Sequence, residues 1–136
     1  MGFNVSVIAD ILKFPWPLYP KYKNVYPIGL RYEIPNQSGN FEFTINLPSG
    51  VDLELQSISF AATAYKDGDY FSLLRNNDFI LKNIYTKETA QSKELRPIVY
   101  IDSSTDTLKF VYNNITGTSK VIYLDLDFVS SDPINN

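Results

Sequence analysis

The sequence predicts an all-β fold: an antiparallel β-sandwich, jelly-roll-like, with about eight strands and an extended N-terminal arm. Three observations support this. The 136 residues include 10 Tyr and 9 Phe, which favour the half-buried surface of a pleated sheet. From residue 28 onwards, short segments that alternate apolar and polar residues are separated by clusters of turn-forming residues. No segment shows the spacing of a long amphipathic helix, so a single β domain is the expected organisation.

The first two predicted strands show the clearest alternation in the N-terminal half. Residues 28–34 and 41–47 both place apolar side chains at every second position, which predicts strands with one buried face and one wet face. The segments 35–39 and 48–50 contain Pro, Gly, Asn and Ser, which favour turns. These turns are expected to end the two strands.

The third predicted strand changes its alternation in the middle. Leu53 and Leu55 share one parity, whereas the apolar residues that follow share the other, namely Ile58, Phe60, Ala62 and Ala64. A β-bulge near Gln56 and Ser57 would return both sets to one face of the strand. We therefore predict a bulge at this point.

Five further strands complete the pattern. They are expected at residues 70–74, 79–85, 95–101, 108–112 and 122–128, with the last carrying the clearest alternation. The polar segment 86–94 is expected to be a surface loop. The predicted organisation is an extended arm at 1–27, a sandwich domain at 28–129 and a polar tail at 130–136.

The composition excludes several kinds of chemistry. Neither Cys nor His occurs, which rules out disulfides, thiol nucleophiles, His-containing triads and zinc sites built on Cys or His. The net charge is −3 and the 12 Lys and Arg residues are scattered, whereas nucleic-acid binders cluster their basic residues. No apolar run is long enough to cross a bilayer. We expect no cofactor, no metal, no nucleic acid and no membrane among the partners.

The turn Lys66-Asp67-Gly68-Asp69 is the richest acidic cluster. Its two carboxylates could contribute to a Ca²⁺ site, but the residues that follow, 70–74, offer no suitable ligands for an EF-hand-type loop. The favoured interpretation is a structural turn whose Asp side chains accept hydrogen bonds from backbone N–H groups.

Asp125 and Asp127 lie two residues apart on the last predicted strand and so project from the same face. Paired carboxylates can hydrolyse glycosides when they flank the scissile bond. They can equally form the solvated face of an edge strand, where charge hinders edge-to-edge pairing. The solvated face is favoured, and no catalytic residue is assigned.

Residues 13–22 read KFPWPLYPKY and form the most unusual stretch of the sequence. Proline fixes the backbone, lacks an N–H donor and restricts the residue before it, so the segment is expected to be extended and partly polyproline-II-like. Soluble proteins bury so large an aromatic patch against something. The residues expected to form a protein interface are Phe14, Pro15, Trp16, Pro17, Leu18, Tyr19, Pro20 and Tyr22.

The sequence allows two places where this arm could bury its aromatic side chains. It either folds back over one end of its own sandwich or docks on a neighbouring subunit or partner. Trp and Tyr are frequent anchor residues of interfaces, and a stiff extended segment loses little entropy on docking. These arguments favour the docking arm and a homo-oligomer.

Two longer stretches carry a resemblance to a known class of proteins. Residues 53–88 read LELQSISFAATAYKDGDYFSLLRNNDFILKNIYTKE, and residues 108–128 read LKFVYNNITGTSKVIYLDLDF. Over residues 41–129 the chain resembles small β-sandwich virion proteins of tailed bacteriophages. The resemblance implies a non-enzymatic structural component of the virion (a capsid decoration, a neck protein, or a tail or baseplate accessory) that contacts copies of itself and other virion proteins.

Two alternative functions come from other classes. The first is a carbohydrate-binding β-sandwich module that stacks sugars on Trp16 and on surface tyrosines. The second and weaker alternative is a small glycosidase that uses Asp125 and Asp127.

Overall fold

The structure, a computed structural model, describes residues 24–87 and 89–131. Arm residues 13–22, including all those expected to form an interface, lie outside the described residues. The described ranges contain no helix long and apolar enough to cross a membrane. Their strands are β1 (Asn24–Ile34), β2 (Gly39–Ile45), β3 (Asp52–Ala62), β4 (Tyr70–Arg75), β5 (Asp78–Tyr85), β6 (Gln91–Asp102), β7 (Leu108–Asn114) and β8 (Lys120–Ser130).

The strands form two antiparallel sheets of four. Sheet I has the order β1-β8-β3-β6, and sheet II has the order β2-β7-β4-β5. Only β4 and β5 follow each other within one sheet; every other connection between described strands crosses from one sheet to the other. This is the strand order of a jelly roll, so the predicted all-β antiparallel sandwich is confirmed.

The inner faces of the two sheets meet in one aromatic and aliphatic core. The Phe110 ring lies at its centre, with centroid distances of 5.3 Å to Phe71 and 5.5 Å to Tyr32. The predicted alternation of β8 is confirmed, because every second residue along the strand is buried: Ile122, Leu124, Leu126 and Phe128. Each sheet therefore contributes one face to the core, as a sandwich requires.

The predicted bulge in β3 is confirmed. Against β8, Leu55 stands opposite Phe128 and Ser57 stands opposite Asp127, which leaves Gln56 as an extra residue. The same break occurs in the pairing with β6, where residues 95–98 stand opposite Gln56 alone. Leu55 and Ile58 are both fully buried as a result.

β1 begins at Asn24, earlier in the sequence than the alternation indicated. Residues 24–27 pair with the C-terminal end of β8 and include Pro27, which lies opposite Asp127. β1 is an edge strand, and a proline is tolerated there because only one side of the strand has to supply hydrogen bonds.

β6 also begins earlier than expected, at Gln91. The expectation of a loop at 86–94 is wrong for its last four residues, since Gln91 pairs with Phe60 and Glu94 pairs with Ser57. β6 is the other edge strand of sheet I and borders solvent. An edge strand can therefore be polar in sequence without losing its pairing.

Candidate functional site

Asp69, the last residue of the predicted acidic turn, is buried rather than solvated. Its carboxylate accepts hydrogen bonds from the backbone N–H of Thr116 at 3.0 Å and from the Thr116 hydroxyl at 2.9 Å. The ammonium group of Lys120 donates a hydrogen bond to Asp69 Oδ2, and neither side chain has any exposed surface. The structural interpretation of the turn is confirmed for Asp69, with a buried cation as a partner that the sequence did not indicate.

Lys120 is the centre of what we call the polar cluster, formed by Asp69, Asn114, Thr116 and Lys120. Besides Asp69, Lys120 Nζ donates to Asn114 Oδ1 at 2.7 Å and approaches Thr116 Oγ1 at 3.4 Å. It also lies 5.8 Å from the centroid of the Tyr112 ring. The three protons of the ammonium group thus have three oxygen acceptors, which is what a buried lysine requires.

Asn114 ties the polar cluster to the turn between β1 and β2. The two protons of its amide nitrogen are shared among the carbonyl oxygens of Gln37 at 2.9 Å, Thr118 at 3.2 Å and Pro35 at 3.3 Å. These carbonyl groups belong to irregular segments without ladder partners of their own. The amide therefore fixes two loops at this end of the sandwich.

The electrostatics of the polar cluster favour an ionised Asp69 carboxyl. Burial raises its pKa, but hydrogen bonds from Lys120 and Thr116 and the charge of Lys120 outweigh burial, so the pKa lies below the ordinary value. Burial, with the nearby Asp69 charge acting in the same direction, raises the pKa of Tyr112 to about 12. The Tyr112 phenol is therefore neutral at physiological pH.

The polar cluster joins the two sheets. Asp69 immediately precedes β4 of sheet II, whereas Lys120 is the first residue of β8 in sheet I. Asp69 also belongs to the first of the two stretches that carry the resemblance, and the other three members belong to the second. The structure thus gives these two stretches a common role in closing one end of the sandwich.

Asp125 and Asp127 are exposed on the outer face of sheet I, as predicted. Asp127 accepts a hydrogen bond from the Ser57 hydroxyl at 2.7 Å, and a Cβ on Gly29 would lie 3.2 Å from Asp125 Oδ1. The expectation that they mark an edge strand is wrong, because β8 is flanked by β1 and β3. Both residues are exposed, and their near neighbours Ser57 and Gly29 are small.

The part of the chain that the structure describes contains no group of three acidic side chains placed to hold a metal ion. Asp69, one of the two carboxylates of the turn at residues 66–69, contacts Lys120 and Thr116. A Ca²⁺ ion bound at this turn through Asp69 would have to displace Lys120 from that carboxylate.

The outer face of sheet II carries an apolar surface near its β5 edge, which we call the outer aromatic face: Tyr70, Leu74, Phe79, Tyr85 and Val111. Phe71 and Leu73 of β4 point into the core, so the residues that alternate with them point outwards, and their directly paired partners on β5 do the same. Phe79 is 52% exposed and Tyr85 is 55% exposed.

Two contacts order this face. The rings of Tyr70 and Tyr85 lie 5.2 Å apart, and Lys82 Nζ lies 5.2 Å from the centroid of the Phe79 ring. Sequence reasoning missed the outer aromatic face because the alternation of residues 79–85 does not reveal the register shifts between β4 and β5. Those shifts decide which side chains point outwards.

The fold and these surfaces define the chain as a jelly-roll sandwich with a buried polar cluster at one end and an aromatic outer face. It belongs to the family described as "Domain of unknown function (DUF8551)", which matches residues 23–133. No curated protein sequence matches the chain.

Three solved structures show distant similarity to the chain. One is titled "Structure of infectious bursal disease virus Gx strain" (12% identity, TM-score 0.43, covering 79% of this chain and 35% of that one). Another is the Podospora anserina GH26-CBM35 beta-(1,4)-mannanase (15%, TM-score 0.42, covering 80% and 28%). The third is the insecticidal delta-endotoxin Cry8Ea1 from Bacillus thuringiensis (18%, TM-score 0.35, covering 80% and 20%). The chain thus spans about a third or less of their lengths, and likenesses at these TM-scores carry no argument about function.

Proposed function

We propose that the chain is a non-enzymatic structural protein of a tailed-phage virion: a capsid decoration, a neck protein, or a tail or baseplate accessory. The sandwich would form the body of the subunit. The N-terminal arm, with Trp16 and Tyr19 as anchors, would contact neighbouring copies or other virion proteins. The resemblance over residues 41–129 supports this class of function.

The outer aromatic face is the observation that carries the proposal. Its exposed rings lie on the outside of a sandwich whose core is already closed, so they add nothing to the inner packing. Aromatic side chains are enriched at protein interfaces, and contiguous apolar surface on a soluble domain usually marks an interaction site. The face thus gives the body of the subunit a surface for association.

The polar cluster supports a structural rather than a catalytic role. Asp69 and Lys120 have no exposed surface, and their polar atoms are engaged with one another and with Asn114 and Thr116. A substrate could reach these groups only if this end of the sandwich opened. This completely buried ion pair therefore stabilises the fold.

The proposal is tested by locating the protein in particles. Virions of the phage that encodes the chain would be purified through a density gradient, and their proteins identified by mass spectrometry and by gold-labelled antibody. We expect the chain in intact particles at a fixed copy number. Its absence from purified particles, together with its presence in the infected-cell lysate, would refute a virion role.

The association surface is tested separately in solution. Tyr85→Ser and Tyr123→Ser make the same chemical change on the outer faces of sheets II and I, where the two side chains are 55% and 45% exposed. In light-scattering measurements of the full chain, we expect Tyr85→Ser to weaken self-association and Tyr123→Ser to leave it unchanged. Equal effects of the two substitutions would contradict the proposal that the chain associates through the outer aromatic face.

One observation favours a carbohydrate-binding module as the second candidate. Tyr85 pairs with Tyr70, Tyr70 with Asn113 and Asn113 with Asn40, so two amide groups continue the row of two tyrosine rings across sheet II. Rings beside hydrogen-bonding amides can stack on sugars and bind their hydroxyl groups. A glycan array discriminates between the candidates, because a purely structural subunit gives no specific signal and a sugar-binding module gives one that Tyr85→Ser abolishes.

A further inference from the structure

An amine and a carboxylate are held in contact in the interior of the sandwich. Lys120 Nζ donates directly to Asp69 Oδ2, and both side chains are completely buried. Bringing two reacting groups into contact in a fixed orientation can lower the activation free energy by several kcal/mol. The contact thus places the Lys120 nitrogen next to the Asp69 carboxyl group, whose carbon Cγ carries Oδ2.

We propose that Lys120 and Asp69 become joined by an intramolecular amide bond between Lys120 Nζ and Asp69 Cγ. The bond is a covalent modification of the chain and is independent of the proposed virion role. It would connect β8 of sheet I to the residue that precedes β4 of sheet II. In a chain without cysteine, it would take the place of a disulfide as a covalent link between the sheets.

The reaction is a condensation that needs no oxidant, reductant or other reactant. A proton passes from the Lys120 ammonium group to Asp69 Oδ2 along their hydrogen bond, which leaves a neutral amine and a carboxylic acid. The amine lone pair attacks Cγ, and a second proton moves from nitrogen to the hydroxyl on Cγ. The C–Oδ2 bond breaks with release of water, so –COO⁻ and –NH₃⁺ become –CO–NH– and H₂O.

Thr116 is placed to stabilise the tetrahedral intermediate. Its backbone N–H lies 3.0 Å from Asp69 Oδ1, the oxygen that stays on Cγ, and its hydroxyl lies 3.1 Å from Oδ1 and 2.9 Å from Oδ2. Fixed donors around an oxygen that gains negative charge are the main source of stabilisation in acyl transfer. Thr116 is thus a catalytic residue for the bond, and Lys120 is the nucleophile.

Asn114 is better suited to position the lysine than to react with it. Its Oδ1 accepts from Lys120 Nζ at 2.7 Å, but both protons of its amide nitrogen are already shared among the backbone carbonyl oxygens of Pro35, Gln37 and Thr118. An attack on Asn114 would have to release this nitrogen as ammonia and break its hydrogen bonds to the two loops, whereas an attack on Asp69 leaves them intact. The geometry therefore selects Asp69 as the acyl group.

Burial also favours the product. Taking two charges out of water is costly, and their attraction does not always recover the cost. The amide carries no net charge, and its N–H and C=O can keep the hydrogen bonds to Asn114 and Thr116. Loss of water from a buried site opposes the reverse reaction.

The test is the intact mass of the purified full chain. We expect a mass lower by about 18 Da, one water, than the sequence requires, either at once or after several days of folded incubation at pH 8. Tryptic mapping should then show the peptides containing Asp69 and Lys120 as one linked species, with no cleavage after Lys120. Because the measurement uses the unaltered chain, it does not depend on whether a variant folds.

Three variants sharpen the assignment. Lys120→Arg keeps the positive charge but removes the amine, and we expect it to retain the full mass. Lys109→Arg makes the same change in an exposed pair, where Lys109 Nζ lies 3.8 Å from Glu42, and we expect the 18 Da loss to remain. Thr116→Val removes the hydroxyl donor, and we expect slower bond formation by about tenfold or more.

Three outcomes would overturn the proposal. The first is an unchanged mass after prolonged folded incubation. The second is a loss of about 17 Da, one ammonia, with a peptide linked through Asn114. The third is an 18 Da loss that maps to ring closure at Asp67-Gly68 and disappears in Asp67→Ala, with Asp69 and Lys120 in separate peptides.

Discussion

Deletion of Gln56 is expected to be tolerated, whereas deletion of Ser59, further along the same strand, is not. Gln56 is the extra residue of the bulge, since its neighbours Leu55 and Ser57 face consecutive residues of β8. Removing it joins Leu55 to Ser57 in a regular ladder with β8, leaves residues 95–98 as a bulge of β6, and keeps every apolar side chain of β3 on the inner face. It also removes a buried amide nitrogen that has no hydrogen-bond partner among the described residues. We expect a change in unfolding free energy of less than about 1 kcal/mol.

Deletion of Ser59 makes Ile58 and Phe60 neighbours in a strand whose side chains alternate, so one of them must point outwards. Reversing the inward and outward faces of the shorter part of the strand, residues 60–62, costs less free energy than reversing the longer part. Phe60 is 5% exposed and packs edge-on against Phe71 with ring centroids 4.7 Å apart. Removing a buried Phe from a core costs about 3–5 kcal/mol, and we expect a loss of that size.

Urea unfolding followed by circular dichroism measures both changes. The controls are Gln56→Ala and Ser59→Ala, which keep the chain length and the register and should each cost about 1 kcal/mol or less. The reasoning is refuted if the two deletions cost the same, or if deletion of Gln56 costs more than deletion of Ser59.

Three further predictions concern other parts of the chain. Phe110→Ala empties the centre of the aromatic core, and urea unfolding should show a loss of about 3–5 kcal/mol; a loss below 1 kcal/mol would mean that the core can collapse around the gap. Gly117→Ala places a Cβ at φ +73°, and thermal unfolding should show a loss of about 1–2 kcal/mol, which would be absent if the loop can change its backbone. The pKa of Asp106 lies below its ordinary value of 3.8, chiefly because Asn76 donates to it at 3.0 Å. Its stabilising contribution is therefore present above pH 3.8 and is lost as the pH falls through the lowered pKa. Carbon-detected NMR titration should show Asn76→Ala raising the Asp106 pKa towards the ordinary value, and an unchanged pKa would contradict the assignment.

The fold could be predicted because its main signal is local. Alternation along a strand reports which face is buried, so residues 28–34 and 122–128 were assigned from their own sequence. The change of parity after Leu55 even located the bulge. The beginnings of β1 and β6 were missed, since Pro27 and the polar residues 91–94 are acceptable in a strand only at a sheet edge, and edges are set by the tertiary arrangement.

The polar cluster could not be predicted because its signal is not local. Asp69 and Lys120 are 51 residues apart, and each taken singly is typical of a solvated surface. The two stretches that carry the resemblance contain Asp69 and the segment from Asn114 to Lys120. That resemblance drew attention to both segments but did not show that they are in contact. The register of β4 with β7, in which Tyr70 lies opposite Asn113, and the crossing from β7 to β8 bring them together.

The pairing of β1 with β8 has a mechanical consequence. Asn24 lies opposite Ser130 and its side-chain amide donates to the Ser130 carbonyl oxygen at 3.4 Å, so the two ends of the described sandwich leave it side by side. A force that separates these ends would peel β1 from β8 one residue pair at a time, and sequential rupture of hydrogen bonds needs far less force than shearing them together. Peeling would proceed to Ile34, which faces Lys120, where the Asp69 contact anchors β8 to the other sheet. Load applied through the two ends would therefore release an eleven-residue tether while the rest of the sandwich stays closed.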